Sequence, residues 1–170
     1  NAIALSDDGV SGNISLGFTF NFGGSNFTRL RIGANGWLFF SGTATTYINT
    51  ALPAAGVDAV LMPFWDDLNP ASVASRIRYQ TLGTSPNRVF VVSFLAVPHY
   101  CGGGSGCSNS QTTGITETFQ VQLFETTGEV VFSYSNMSTL GGGWTTGPVP
   151  AGGLPEQGAT IGVEVSSSDY

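Results

Sequence analysis

The feature that most constrains this fold is a strict alternation of apolar and polar residues, which recurs along the chain without helical periodicity. In the segment from Ile14 to Phe22, phenylalanines occupy one face, while Thr19 and Asn21 occupy the other. The segments from Glu117 to Phe124 and from Glu129 to Tyr134 repeat the pattern. Runs of period two predict half-buried strands of antiparallel sheets, with one face in a core and the other in water.

Shorter apolar segments, separated by turn signals rich in Gly, Pro and Asn, extend the strand pattern over most of the chain. Further strands are predicted at Arg29 to Ile32, Trp37 to Phe40, Ala59 to Phe64, Arg76 to Gln80, Arg88 to Val97 and Thr160 to Val165. Many short strands without helices predict an all-β fold, a jelly-roll-like two-sheet antiparallel β-sandwich with negligible helix. We assign residues 14–170 to this single domain and residues 1–13, whose core character is weak, to an N-terminal arm.

The charged residues argue against several functions. The 170 residues include no lysine and only five arginines, and the net charge is −6. Phosphate-loop proteins, protein kinases and Schiff-base enzymes all depend on a lysine, so the chain fits none of these classes. Nucleic-acid binding is disfavoured as well, because phosphate neutralisation needs clustered basic residues.

The chain shows no sequence signal for membrane insertion. Its longest apolar stretch, from Val89 to Val97, is about half the length of a bilayer span. No cationic segment followed by an apolar one stands at the N-terminus, so no signal peptide is expected in the chain as given. Three sequons, at Asn13, Asn26 and Asn136, permit glycosylation if the source organism carries it out.

The two cysteines point to an oxidising compartment. Cys101 and Cys107 flank a Gly-rich spacer that lets the chain double back and bring the two sulfurs together. A disulfide here would stabilise the fold by about 2 kcal/mol and predicts an extracellular or cell-surface location. The alternative is a metal site with His99, which lacks a fourth soft ligand nearby and the usual Cys-x-x-Cys spacing.

The sequence predicts no catalytic centre. His99 is the only histidine, and no Gly-x-Ser-x-Gly elbow accompanies it, so we expect it to be a loop histidine with a structural role. Asp66 and Asp67 are adjacent, and neighbouring residues of a strand project to opposite faces, unlike a pair of glycosidase carboxylates. We therefore expect a non-enzymatic protein with no cofactor.

Two readings of Asp66 and Asp67 remain open at this stage. In a turn, one carboxylate can cap the backbone while the other is solvated, which is the reading we favour. The pair can also ligate a hard cation such as Ca²⁺, which takes six to eight oxygens, with Asn69 and backbone carbonyls as further ligands.

Three aromatic residues near predicted turns are candidates for contact with a ligand. Trp144 lies in a Gly-rich stretch within the long loop from Leu140 to Gly158, and Tyr47 and Tyr100 also lie near turns. Aromatic side chains displayed on loops are effective recognition elements, although such a residue can equally plug the open end of a sandwich. Trp37 and Trp65, by contrast, accompany apolar strands and are predicted to lie in the core.

Several segments resemble, in order, a known extracellular module. They are Phe18 to Gly24, Leu30 to Phe40, Leu61 to Leu68, Thr118 to Phe124, Val131 to Tyr134 and Ala159 to Val163. The Asn-Gly-Trp element at residues 35–37 and the Pro-Phe-Trp-Asp-Asp element at residues 63–67 are the most specific. This succession resembles the nidogen-type (NIDO-like) domain and related β-sandwich modules of secreted surface proteins. The resemblance implies a non-enzymatic adhesive or matrix module.

Three functions follow as hypotheses. The first is a secreted or cell-surface adhesion module that binds a protein or glycan through its end loops. The second is a structural subunit of an extracellular filament or pilus, in which copies pair edge to edge or exchange an N-terminal strand. The third is an accessory carbohydrate-binding module of a hydrolase.

Overall fold

Ten strands and one 3₁₀ turn make up the regular structure that the computed structural model describes, which covers residues 1–72, 76–101, 112–137 and 159–166. The strands are β1 (Ala2–Ile3), β2 (Ile14–Phe22), β3 (Ser25–Gly33), β4 (Trp37–Phe39), β5 (Val60–Trp65), β6 (Ile77–Leu82), β7 (Val89–Tyr100), β8 (Thr112–Phe124), β9 (Val130–Asn136) and β10 (Thr160–Glu164). The 3₁₀ turn is Pro70–Ser72. None of the described residues forms a helix with the length and hydrophobicity of a membrane span.

The strands form two antiparallel sheets of five strands each. The first sheet has the order β1-β6-β7-β8-β9, and the second has the order β10-β5-β4-β3-β2. The prediction of an all-β, two-sheet antiparallel sandwich with negligible helix is therefore confirmed.

The core between the sheets follows from the alternation in the sequence. Along β2, every second residue from Ile14 to Phe22 is buried and the residues between them are exposed. Opposite, Phe94 of β7 and Phe119 of β8 are buried and stack with ring centroids 4.5 Å apart. Burial of one face of each strand is the main stabilising contribution of such a sandwich.

A second apolar cluster covers the outer face of the second sheet. Trp37, Phe39, Met62 and Trp65 lie there against residues of the long 40–59 loop. The prediction that Trp37 and Trp65 belong to the core is confirmed, with their rings 4.4 Å apart. Because β5 is covered on both faces, its sequence is a continuous apolar run rather than an alternating one.

The side chain of Arg88 links the two sheets at one end of the sandwich. The Arg88 Nε donates to Glu125 Oε2 at 2.7 Å, and the same guanidinium donates to the carbonyl of Gly17 on β2. It also lies over the ring of Phe18, 5.6 Å from its centroid. A single cation therefore joins the β7–β8 end of the first sheet to β2 of the second.

Residues 1–13, predicted as an N-terminal arm, lie along both sheets. Ile3 of β1 pairs with Ile77 of β6 in the first sheet, and Leu5 is buried in the core. Val10 forms a bridge with Gly33 of the second sheet. The division into an arm and a sandwich at residue 13 stays a prediction.

Candidate functional site

Asn35 ties together three loops at one end of the sandwich. Only 2% of this residue is exposed. Its Nδ2 donates to Asp8 Oδ1 at 2.7 Å and to the carbonyl of Thr46 at 3.4 Å, and its Oδ1 accepts from the amide of Leu68 at 3.0 Å. We call this end the loop end; it comprises residues 6–9, 35–36, 45–48, 66–69 and 99–101.

The position of Asn35 is fixed by the glycine that follows it. Gly36 has a φ of +79°, and a Cβ added there would lie 1.9 Å from the carbonyl oxygen of Phe64. Only glycine permits both this conformation and this close approach of the β3–β4 turn to β5. The Asn-Gly-Trp element of the sequence is thus the point at which the loop end is attached to the second sheet.

Asp66 belongs to a chain of titratable side chains. Its Oδ1 accepts from the backbone amide of Asp67 at 2.8 Å, and its Oδ2 lies 3.5 Å from Nδ1 of His99. The Nε2 of His99 lies 2.9 Å from Oε1 of Glu117, which is fully buried. Burial raises the pKa of Asp66 above its usual value, and the nearby His99 opposes that rise.

His99 lies within β7, so the prediction that it is a loop residue was wrong. The strand continues through Pro98, whose carbonyl accepts from the amide of Asn69 at 2.9 Å, and the register between β7 and β8 shifts between Pro98 and Tyr100. Both ring nitrogens face carboxylates, and among the described residues no hydroxyl or thiol is bonded to either of them. This arrangement contains no pair of nucleophile and base.

The carboxylate of Asp67 lies beside a turn near the N-terminus. Carboxylate oxygens of Asp7, Asp8 and Asp67 all lie within 4.8 Å of one another. Burial, followed by the charges of Asp7, Asp8 and Asp66, raises the pKa of Asp67 to about 7. These three carboxylates are the ones in the described part of the chain that could hold a cation such as Ca²⁺.

The loop end also displays apolar side chains. Tyr47 is 42% exposed and Ile48 is 54% exposed, directly after Thr46, whose carbonyl accepts from Asn35 and from Nε1 of Trp65. Tyr100 is half-buried, and its amide donates to the carbonyl of Asp67 at 2.8 Å. Tyr47 and Tyr100, both predicted as ligand-facing, therefore lie at the same end of the sandwich.

Other predicted site residues are dispersed or fall outside the described residues. Trp144 and Cys107 lie outside them; Cys101 is buried at the end of β7, and its pairing with Cys107 stays a prediction. The sequon residues Asn13, Asn26 and Asn136 are all exposed, and their glycosylation stays a prediction.

The sequence did not associate Asp7 and Asp8 with Asp67. The signal for this contact was weak, since Asp7-Asp8-Gly9 is a turn signal with only a weaker form of the same choice between a turn cap and a cation site, and about 60 residues separate the two segments. Asn35 was noted as part of a turn signal and of the Asn-Gly-Trp element, but nothing local reveals that its amide is buried among loops from distant parts of the chain.

These features define a two-sheet β-sandwich in which the buried, hydrogen-bonded side chain of Asn35 connects the loops at one end, where Tyr47 and Ile48 are exposed. The chain belongs to the NIDO-related family, which matches residues 1–170, so the predicted NIDO-like resemblance is confirmed. Members of this family are typically extracellular and generally non-enzymatic modules. No curated protein and no solved structure matches the chain.

Proposed function

We propose that this protein is a non-enzymatic adhesion or interaction module of the cell surface or extracellular space, which binds a protein or glycan through its loop end. The observation that supports this proposal is that Tyr47 and Ile48 are large and exposed. They directly follow Thr46, whose carbonyl accepts hydrogen bonds from the buried side chains of Asn35 and Trp65. Exposed aromatic residues in such positions are enriched among the residues that dominate binding energy.

The support beneath these side chains favours binding. The carbonyl of Thr46 is held by both Asn35 and Trp65, and the 40–59 loop packs on the second apolar cluster through Ala54 and Val57. A loop that is already ordered loses less conformational entropy on binding than a mobile one. Tyr47 and Ile48 are therefore presented in a fixed position before any partner arrives.

The charge at the loop end favours a partner with basic groups. Asp7, Asp8, Asp66 and Asp67 all lie in this region, and no arginine of the described residues forms an ion pair with them. Complementary charge chiefly accelerates association and selects among partners. We expect the association rate to fall as salt concentration rises.

A binding assay on panels of extracellular matrix proteins and of glycans tests this proposal. We expect the double substitution Tyr47→Ser and Ile48→Ser to weaken the observed binding about tenfold or more. Leu82→Ser is the matched control, because Leu82 is 46% exposed and lies on the first sheet. Equal loss in both variants, or no binding on either panel, contradicts the proposal.

A self-assembling filament subunit is the second candidate. Val163 of β10 pairs with the buried Leu61 of β5, so its side chain faces the space between the sheets, yet it is 45% exposed. Ile161 faces the same way and is 54% exposed. These two exposed apolar side chains of β10 support assembly by packing of a strand from another copy.

A further inference from the structure

A pocket on the outer face of the second sheet contains two of the five arginines of the chain. The pocket has a volume of about 370 Å³, and its lining includes Asn13, Asn26, Arg29, Arg31 and Ser41. We call it the arginine pocket. It contains no residue of the loop end, so it is independent of the function proposed above.

The alternation of β3 places both arginines on this face. Leu30 and Ile32 are buried in the core between the sheets, so Arg29 and Arg31 project to the opposite side. Two guanidinium groups on one face of one strand repel each other, and an anion bound between them would offset that repulsion. Their position on a central strand fixes the spacing of the two backbone attachment points.

The arginine pocket lacks an anion of its own. Among the described residues, the ion pairs involve only Arg88 and His99, so neither Arg29 nor Arg31 is paired with a carboxylate. None of the residues that line the pocket is acidic. In a chain with a net charge of −6, this local concentration of positive charge is the opposite of the overall balance.

Hydrogen bonds within the pocket leave mainly donors for a ligand. Asn13 Oδ1 accepts from Nε of Arg31 at 3.1 Å, and Asn26 Oδ1 accepts from Nδ2 of Asn21 at 2.9 Å. Each amide oxygen thus already accepts one hydrogen bond, whereas the side-chain N–H groups of Asn13 and Asn26 and the terminal nitrogens of Arg31 have no hydrogen-bond acceptor among the described residues. A ligand must supply negative charge and several acceptor oxygens.

We propose that the arginine pocket binds an acidic saccharide through the carboxylate of a uronate residue. The guanidinium groups match a carboxylate in a bidentate geometry, and ring and hydroxyl oxygens accept from the amides of Asn13 and Asn26. The pocket volume lies in the usual range for small ligands and exceeds what one inorganic anion fills. An extended peptide fits less well, because both edges of β3 are already paired, with β2 and β4.

Calorimetric titration of the unglycosylated chain with trigalacturonate tests this proposal. We expect binding that weakens as salt concentration rises and that falls about tenfold or more in Arg29→Ala and in Arg31→Ala, because each removes charged hydrogen bonds. Arg78→Ala, which removes the same charge from an exposed position on β6, should leave the affinity within about twofold. The methyl ester of trigalacturonate, which keeps the sugar and lacks the charge, should bind at least about tenfold more weakly.

A second variant keeps the test decisive if an arginine variant does not fold. Asn26→Asp preserves the shape of the side chain and adds a carboxylate to the pocket, and we expect it to weaken trigalacturonate binding while the melting temperature stays close to that of the parent. The proposal is overturned if trigalacturonate does not bind, if the ester binds equally well, or if Arg78→Ala is as damaging as Arg31→Ala. It is also overturned if sulfate binds as tightly as trigalacturonate, which indicates a bare anion site, or if tri-aspartate binds more tightly, which indicates a peptide site.

Discussion

Asn35 holds the loop end together through a single buried amide, and its removal is expected to destabilise the fold. Asn35→Ala leaves the amide of Leu68 and the carboxylate of Asp8 without their buried partner. Because one of these bonds involves a charged group, we expect the free energy of unfolding to fall by about 2–4 kcal/mol. Urea denaturation measures this change. Asn87→Ala, in an exposed turn, is the control and should cost less than about 0.5 kcal/mol.

If Asn35→Ala lowers the free energy of unfolding by no more than Asn87→Ala does, the hydrogen bonds of Asn35 do not hold the loops of the loop end together. The same variant also bears on binding. Asn35 donates to the carbonyl of Thr46, so removing the Asn35 side chain should increase the mobility of Tyr47. Binding at the loop end should then weaken even where the protein remains folded.

Asp67 makes stability depend on pH in a direction that is unusual for an aspartate. Burial and the neighbouring carboxylates raise its pKa from 3.8 to about 7 in the folded state. The folded protein therefore binds this proton more tightly than the unfolded chain does, and the resulting stabilisation is present below about pH 4 and lost as the pH rises to about 7. We expect Asp67→Asn to raise stability at pH 8 by about 1–2 kcal/mol, after allowance for solvent screening, and by much less at pH 4.5.

Thermal melting of Asp67→Asn at the two pH values, with Glu129→Gln as an exposed acidic control, measures this difference. We expect EDTA to leave the melting temperature of the parent protein unchanged at pH 7, because a proton can balance the charge of the cluster. The opposite result is a rise in melting temperature with Ca²⁺ that disappears in Asp67→Asn. That result would mean that a cation, and not a proton, neutralises Asp7, Asp8 and Asp67.

At the scale of elements, the β3–β4 turn depends on its close approach to β5. Gly36 and Gly24 both have a φ of +79°, but an added Cβ meets the Phe64 carbonyl at Gly36 and nothing within 4 Å at Gly24. Gly24→Ala should therefore cost only the conformational strain, about 1–2 kcal/mol. Gly36→Ala adds a backbone collision, and we expect a loss above about 4 kcal/mol or a failure to fold.

Circular dichroism melts of the two glycine variants measure the difference between them. Since the backbone conformation is matched, the difference isolates the contact between the turn and β5. Equal destabilisation of the two variants would show that the β3–β4 turn can move away from β5 without cost.

The connection between β7 and β8 is expected to carry a disulfide. Cys101 is buried where β7 ends, and we predict that it pairs with Cys107. Mass spectrometry should find that both thiols are alkylated only after reduction. Replacing both by serine should lower stability by about 2 kcal/mol, the value expected for a loop this short. Stoichiometric zinc in the native protein would instead support the metal site with His99.

At the scale of the whole molecule, the sequence predicted the strands whose burial follows a local alternation of residues. It did not predict the features that depend on contacts between distant segments. The alternation from Ile14 to Phe22 predicted β2 at its observed bounds, because one face of that strand is buried along its whole length. The two-residue strand β1 has no such pattern and forms only because β6 is available to pair with it. The grouping of Asp67 with Asp7 likewise depends on the packing of remote segments, which no local spacing can indicate.

The state of assembly separates the two candidate functions, and we expect the isolated chain to be a monomer of 17.7 kDa. Ile161 and Val163 of β10 are exposed, but a few side chains on one strand fall well short of the roughly 1,200 Å² that a stable interface buries. Sedimentation velocity and negative-stain electron microscopy at micromolar concentration measure this directly. Filaments that form from the parent chain and disappear in Ile161→Lys and Val163→Lys, but persist in the exposed control Leu82→Lys, would overturn the expectation. In that case the exposed side chains of β10 form an assembly surface between copies of the chain.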